Sequence, residues 1–323
     1  SFPTRRSSDL KAVITSREAF LFEPNRLEEL PKFLIKLNKT ILIDKSSINA
    51  YDYSIVKSKA KILDINPVNQ MRTIKTDAEI EHYKYAFEAT DKAVLSIRKY
   101  IMENDNISEF DIARKLEEEF YKFGAVNLSF NSIVAKDKNS ALAHYSGASV
   151  DEILADGSLI LIDCGAYYDG GLATDITRVF VKGNPSKLQK KVYTCVLKAF
   201  LNAFNTPVTD ELSGFDIDSK VREFFNENGI EGFVFNHGLG HGIGINVHEA
   251  PPNLGKNEIA KTVLKENMCF TIEPGLYNSL YFGVRLENSC YLKNGKINSF
   301  VKMPFEKKLI EFSLLSAQEK LWL

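Results

Sequence analysis

From Lys11 onward the chain alternates short apolar runs with polar, turn-forming residues. Residues 12–15, 40–44 and 61–65 are rich in aliphatic and β-branched side chains and predict strands. Between them, residues 25–37, interrupted by Pro31, and residues 47–57 predict helices. The order β-α-β-α-β over 11–75 describes a small α/β unit, thin for a domain of that class, so the expectation is a partial accessory domain whose first half is missing. A new pattern starts at Thr76, which with Glu79 forms a capping box. Ile80, Tyr83, Phe87, Val94, Ile97 and Ile101 then recur on one helical face, and a second helix over 108–123 closes at Gly124. Residues 132–135 predict a strand, and SLILIDCGAYYDGGLATDITRVF predicts two more around a glycine turn. Ser186 and Gln189 cap a helix reaching residue 204, and another covers 215–227. Strands are predicted at 268–273 and 284–292. Helices precede strands in each half, so residues 76–323 are expected to be an antiparallel-rich α+β domain. There is no internal sequence repeat, although the two strand pairs that carry carboxylates have the same layout. The tail from residue 305 adds nothing to this picture.

Composition narrows the class. The chain has 323 residues, 44% of them hydrophobic, enough for one large or two medium domains with a proper core. Lys and Arg number 41 against 42 acidic residues, which argues against nucleic acid or an anionic membrane as partner and for a small molecule or peptide. Cys164, Cys195, Cys269 and Cys290 form no C-x-x-C pair or even framework, so free thiols and a cytoplasmic location are expected. No apolar run approaches the ~20 residues that span a bilayer, and the start lacks the pattern of a signal peptide. The opening SFPTRRSSDL resembles translated sequencing adapter and is set apart as a non-native leader over 1–10.

The candidate chemistry centres on HGLGHGIGINVHEAP, residues 237–251, which holds His237, His241 and His248 out of five histidines in the chain, among four glycines. Such a segment is often only a loop, and a single histidine is more often a structural residue than a ligand. As a phosphate loop it fails, because Ile243 stands where G-x-G-x-x-G needs its last glycine. As a zinc-protease helix it fails as well, since the glycines oppose a helix and there is no H-E-x-x-H. The glycines are expected to permit positive φ or a close approach of the backbone to a ligand.

Carboxylates elsewhere decide for function. Asp163 ends the apolar run LILID, where an unpaired carboxylate costs several kcal/mol. Asp175, Glu273 in TIEPG and Glu287 in VRLEN occupy the same kind of setting. Four such groups brought together would repel one another, and a bound metal relieves both problems. With His241 they make a ligand set for two divalent ions such as Mn, Co, Fe or Zn.

These residues resemble the motifs of the pita-bread metallopeptidases, and within them aminopeptidase P, the Xaa-Pro aminopeptidases. The aspartate pair, HGLGH…H, TIEPG and R-x-E occur in the same order, and the resemblance runs from about residue 77 to the end, with the N-terminal piece looking like a truncated accessory domain. It implies a curved, antiparallel-rich sheet with flanking helices. Asp163 would bind one metal, His241 and Glu273 the other, and Asp175 and Glu287 both; Mn is the expected ion. His144, His237 and His248 match the family's other site histidines, and Arg285 the arginine two before the bridging glutamate. The implied reaction removes the N-terminal residue from peptides with proline second, by a hydroxide bridging the two metals. Glu273 would manage the water's proton, His144 and His248 would steady the oxyanion and substrate backbone, and Arg285 would hold Glu287 or a neighbouring carboxylate. Asp163 and Asp175 stand one residue further apart than in the family pattern, and the extra residue is expected in the turn at Asp169, Gly170 and Gly171. Xaa-Pro dipeptidase and methionine aminopeptidase share the ligand set and stay open as alternatives. A binding module that has lost catalysis is disfavoured because all five ligands are present. A homo-oligomer is left open.

Overall fold

The computed structural model describes residues 11–14, 17, 19–23, 29–36, 40–44, 48–63 and 67–323. The leader over 1–10 lies outside them, as do residues 15, 25–28, 37, 47, 64 and 65 at the margins of expected elements. The chain divides into two compact units, residues 1–70 and 71–323.

In the first unit, β1 (Lys11–Ile14) and β2 (Ala19–Phe22) form an antiparallel pair, and β3 (Ile41–Asp44) and β4 (Ala60–Leu63) a parallel one. Helices α1 (Glu29–Lys36) and α2 (Ala50–Val56) lie between these strands in sequence. Strand β2 was not expected: its four apolar residues are too short a run to separate from loop without their partner strand. Helix α3 (Pro67–Thr73) runs across the division.

The second unit begins with α4 (Asp77–Glu103), and the Thr76–Glu79 capping box is present, Glu79 N donating to Thr76 Oγ1 at 3.2 Å and Thr76 N to Glu79 Oε2 at 2.7 Å. Its expected apolar face is buried throughout, from Ile80 to Ile101. Helix α5 (Glu109–Lys122) follows a second box, Ser108 with Asp111, and Gly124 closes it at φ +93°. After β5 (Asn127–Leu128) and β6 (Ile133–Lys136) come β7 (Leu159–Cys164), β8 (Ala166–Tyr167) and β9 (Ile176–Val181). Helices α6 (Lys187–Phe204) and α7 (Gly214–Asn228) are capped by Ser186 and Ser213. The remaining elements are β10 (Gly240–Gly242), β11 (Glu249–Leu254), β12 (Cys269–Ile272), β13 (Gly275–Tyr277), β14 (Gly283–Arg285), β15 (Glu287–Lys293), β16 (Lys296–Ser299) and α8 (Ala317–Trp322).

One antiparallel sheet holds the order β11-β10-β12-β15-β9-β7-β6, with β16 also paired to β15. Side chains of β7 alternate between two cores: Leu159 and Leu161 join the cluster built on α6 and α7, whereas Ile160, Ile162 and Cys164 join the one built on α4 and α5. Cover on both faces explains an apolar run with no polar alternation. Asp163 takes the parity of Leu159 and Leu161.

The expected single strand over 284–292 is two. Val284 and Arg285 belong to β14, paired with β13 as a separate ribbon, and the chain enters the main sheet only at Glu287. Leu286 N donates to Pro274 O at 3.2 Å at the change of sheet. The expected turn does absorb the extra residue between the aspartates: β7 and β9 keep one register from the Leu159–Val181 pair to the Cys164–Ile176 pair, and Tyr167 bridges Ala173 beyond it. Gly170 and Gly171, at φ +99° and +71°, lie inside that turn.

Candidate metal centre

Sheet register brings the carboxylates together. Thr177 on β9 stands opposite Asp163 on β7 and opposite Glu287 on β15, and residues directly opposite point to the same face. Asp175 is two residues before Thr177 and shares that face. Glu273 follows Ile272, the partner of Asn288, and so continues the register toward Glu287. His241 reaches the group from β10, where the pairing with β11 shifts register between His241 and Gly242. Bulges of this kind turn a side chain toward a site.

The four glycines around His241 act differently from the expectation. None of Gly238, Gly240, Gly242 and Gly244 has positive φ. Instead a Cβ on Gly240 would lie 2.0 Å from Thr271 O, and one on Gly242 2.5 Å from Glu249 O. The glycines let β10 sit against its neighbours on either side of the histidine.

His241 Nε2 lies 3.5 Å from Asp175 Oδ2 and 3.7 Å from Glu273 Oε1. Its Nδ1 donates to Gly242 O at 3.0 Å, which leaves Nε2 as the free lone pair facing the carboxylates. Asp175, His241 and Glu287 offer ligand atoms that all fall within 4.8 Å of one another. Asp163 and Glu273 border this group and line the same cleft of about 640 Å³, together with His144, His237, His248 and Arg285.

Arg285 Nη2 donates to Asp163 Oδ2 at 2.5 Å, so the arginine serves Asp163 rather than Glu287. Its Nε donates to Thr177 Oγ1 at 3.2 Å and Nη1 to the Tyr277 hydroxyl at 3.0 Å. The hydrogen bonds then run in one direction: Tyr277 donates to His237 Nε2 at 2.8 Å, and His237 Nδ1 donates to Gly238 O at 2.7 Å. Burial, with Arg285 nearby, pulls His237 down to about 4, and burial with His241 nearby does the same to His248. Both rings are neutral at neutral pH. The His241 and His248 rings meet edge to face with centroids 4.1 Å apart.

The residues fit a cation. Five carboxylates line the cleft beside a single guanidinium; Glu249 is paired with Arg72 and Lys75, and among the other four Asp163 Oδ1 and Asp175 Oδ1 are buried without a hydrogen-bond partner. Burial and neighbouring carboxylates raise Asp175 and Glu287 well above the ordinary range, and burial followed by Glu287 carries Glu273 to about 8. Buried carboxylate oxygens without a hydrogen-bond partner call for a positive charge. Hard oxygen donors plus one imidazole suit Mn, Co, Fe or Zn.

Two residues at the heart of this network did not stand out beforehand. Thr177, which donates to Glu287 Oε2 at 2.7 Å, lies two residues after Asp175 in the stretch DITR. Tyr277 is an ordinary aromatic of a short strand, and nothing in the sequence ties it to Arg285.

The signature of metallopeptidase family M24 matches residues 81–294. An Xaa-Pro dipeptidase of Pyrococcus horikoshii is 37% identical over 245 residues, 74% of this chain and 67% of its own length. Among solved structures, an X-Pro aminopeptidase from Thermotoga maritima is 35% identical, with a TM-score of 0.75 over 86% of this chain and 78% of that one. An Xaa-Pro dipeptidase from Bacillus anthracis is 30% identical, with a TM-score of 0.79 over 91% and 87%. With that signature over most of the second unit, and with TM-scores of 0.75 and 0.79 to these structures, the chain belongs to metallopeptidase family M24 and has its pita-bread fold.

Proposed function

We propose that the chain is an Xaa-Pro aminopeptidase working with two divalent ions, Mn foremost, held by Asp163, Asp175, His241, Glu273 and Glu287. The observation that carries the hydrolytic reading is the pair of orphaned aspartate oxygens on the floor of an open cleft. Ions held by these residues would make water a stronger nucleophile at neutral pH and polarise the carbonyl of the scissile bond.

The chain's own residues do the rest. Glu273, with one oxygen 3.7 Å from His241 and the other 3.9 Å from Arg285, takes up a proton on its carboxylate and delivers it to the leaving nitrogen. His248 and His144 line the cleft and hydrogen-bond the carbonyl oxygen and the peptide backbone, a contribution of about 3 kcal/mol per donor. Arg285 holds Asp163 in place, and its charge is spent there.

That last point bears on specificity. Among the described residues lining the cleft, Arg285 is the sole lysine or arginine, and it is engaged by Asp163. A dipeptide places its terminal carboxylate next to the scissile bond, where no lysine or arginine free of an ion pair lines the cleft to receive it. A longer peptide carries that charge away, which supports the aminopeptidase. Xaa-Pro dipeptidase is the second reading, favoured by the relatives of that name. Hydrolysis of Xaa-Pro, Xaa-Pro-Gly and Xaa-Ala-Gly by the Mn-loaded protein separates the two: cleavage of the tripeptide with proline second supports the proposal, and preference for the dipeptide overturns it. Four buried free thiols support a reducing location such as the cytoplasm. Among the described residues no helix is long and apolar enough to cross a membrane.

A further inference from the structure

Glu109 is the first residue of α5 and is fully buried. A buried carboxylate is tolerated only when its lone pairs are met. Here four donors meet them. Lys136 N at 2.6 Å and Asn139 Nδ2 at 2.9 Å bind Oε1, while the Tyr145 hydroxyl at 2.8 Å and Ser149 N at 3.0 Å bind Oε2. All four belong to residues 136–149, the segment that carries His144 and Tyr145, and both of these line the cleft. The same helix end makes a second hold, Phe110 N donating to Ser149 O at 3.2 Å.

The Tyr145 hydroxyl also accepts from Asn139 Nδ2 at 3.1 Å, so its polar end is fully occupied behind the cleft wall. Burial and the neighbouring Glu109 push that phenol up to about 12, and it remains a donor at any physiological pH. Elsewhere the segment is tied through Ser140, whose Oγ accepts from Gly283 N at 2.8 Å. That tie secures its first half. The half from His144 to Ser149 depends on α5.

We propose that Glu109 is a positioning residue of the cleft: through Asn139, Tyr145 and two backbone amides it fixes residues 136–149, and so holds His144 and the Tyr145 ring against the peptide. This rests on the peptidase reading of the site. Glu109 touches no substrate and acts through the loop, with a helix N-terminus favouring its negative charge.

The test uses the full chain loaded with Mn. Glu109→Gln keeps the size of the side chain but turns an NH2 group toward two of the four donors, whichever way the amide is placed. Tyr145→Phe removes the two hydroxyl bonds, one to Glu109 and one from Asn139, and keeps the ring. Expected for Glu109→Gln are wild-type metal content, a KM for an Xaa-Pro tripeptide raised about tenfold, and amide exchange at Ser149 or at Lys136, whichever the NH2 group faces, faster by about tenfold, with β7 and β9 unchanged. Tyr145→Phe should fall between it and wild type in both readings. Wild-type exchange at both Ser149 and Lys136 in Glu109→Gln overturns the proposal, and so does faster exchange with wild-type KM and kcat. If Glu109→Gln does not fold, Tyr145→Phe with wild-type KM and wild-type exchange overturns it alone. A loaded wild-type protein that cleaves no Xaa-Pro peptide removes the peptidase reading by itself, and exchange at Ser149 and Lys136 still decides whether Glu109 fixes the segment.

Discussion

Asp163 and Glu287 flank one residue: each is the register partner of Thr177, from opposite sides of β9. The spacing between the two carboxylates is therefore set by sheet pairing, and Thr177 bonds one of them directly while Arg285 bridges the threonine to the other. A rigid frame of this kind fixes a site more closely than loops do.

Removing a carboxylate from the frame should empty it, whereas removing a bordering histidine should not. Asp175→Ala or Glu287→Ala is expected to lower metal content from about two ions per chain and abolish hydrolysis. His248→Ala should keep the metal and lower kcat by about a hundredfold. Elemental analysis beside steady-state kinetics checks both. Loss of metal in His248→Ala would reverse the assignment.

The metal-free protein should lose stability as pH rises. Burial and mutual repulsion raise Asp175, Glu273 and Glu287, the second to about 8. Between the ordinary glutamate range near 4.5 and that value, the folded site keeps protons that the unfolded chain has released, so unfolding becomes easier with each step up in pH. Urea denaturation of stripped protein from pH 6.5 to pH 8, above the range in which the depressed His237 and His248 act in the opposite sense, should show falling midpoints, and Mn should remove most of the slope. A flat profile in stripped protein would mean that the carboxylates are compensated by something other than metal.

Tyr277→Phe should break the one-way chain from Arg285 to His237 without touching a proposed ligand. Its ring stays packed, so metal content should be unchanged, while kcat falls about 10- to 100-fold. Arg285→Met is the harsher test, because it leaves Asp163 beside the other carboxylates without its cation, and metal affinity should change as well. A wild-type kcat for Tyr277→Phe, measured with the same peptide, would make the network a packing feature only.

Arg178 is buried to 1% exposure and bonds only neutral acceptors: Thr177 O, Glu287 O, Met303 O and Asn288 Oδ1. It therefore pins the backbone behind Thr177 and Glu287. Arg178→Met should cost about 3 kcal/mol or more, since it strands carbonyls that have no access to water, and should weaken metal binding through Glu287. Denaturant midpoints of the loaded protein and a metal titration read the two effects.

Much of this was legible in the sequence. Capping residues and periodic apolar faces fixed α4, α5, α6 and α7 to within a residue or two, because helix signals are local. Apolar runs ending in carboxylates marked β7, β12 and β15, because a buried charge must be answered. Four of the short strands, β1, β3, β4 and β6, were legible, but others were not. The strands β2, β8, β10, β11, β13, β14 and β16 have two to six residues, and a pattern that short has meaning only beside its partner. The division of 284–292 into two strands, the reason for the glycines around His241, and the placing of Tyr277 and Glu109 likewise depend on chain segments distant in sequence.

What the sequence showed by itself was a set of residues, four carboxylates in apolar strand settings and a histidine among glycines, that need a cation if they are buried together. It also located the extra residue between Asp163 and Asp175, since glycines yield before strand register does. Tertiary structure alone decided who serves whom: Arg285 goes to Asp163 rather than Glu287, and Glu109 governs a loop that starts 27 residues after it. The physical reason is that charge and periodicity are properties of the chain, whereas hydrogen-bond partners are chosen by the pairing of strands and the approach of helix ends, which no local pattern encodes.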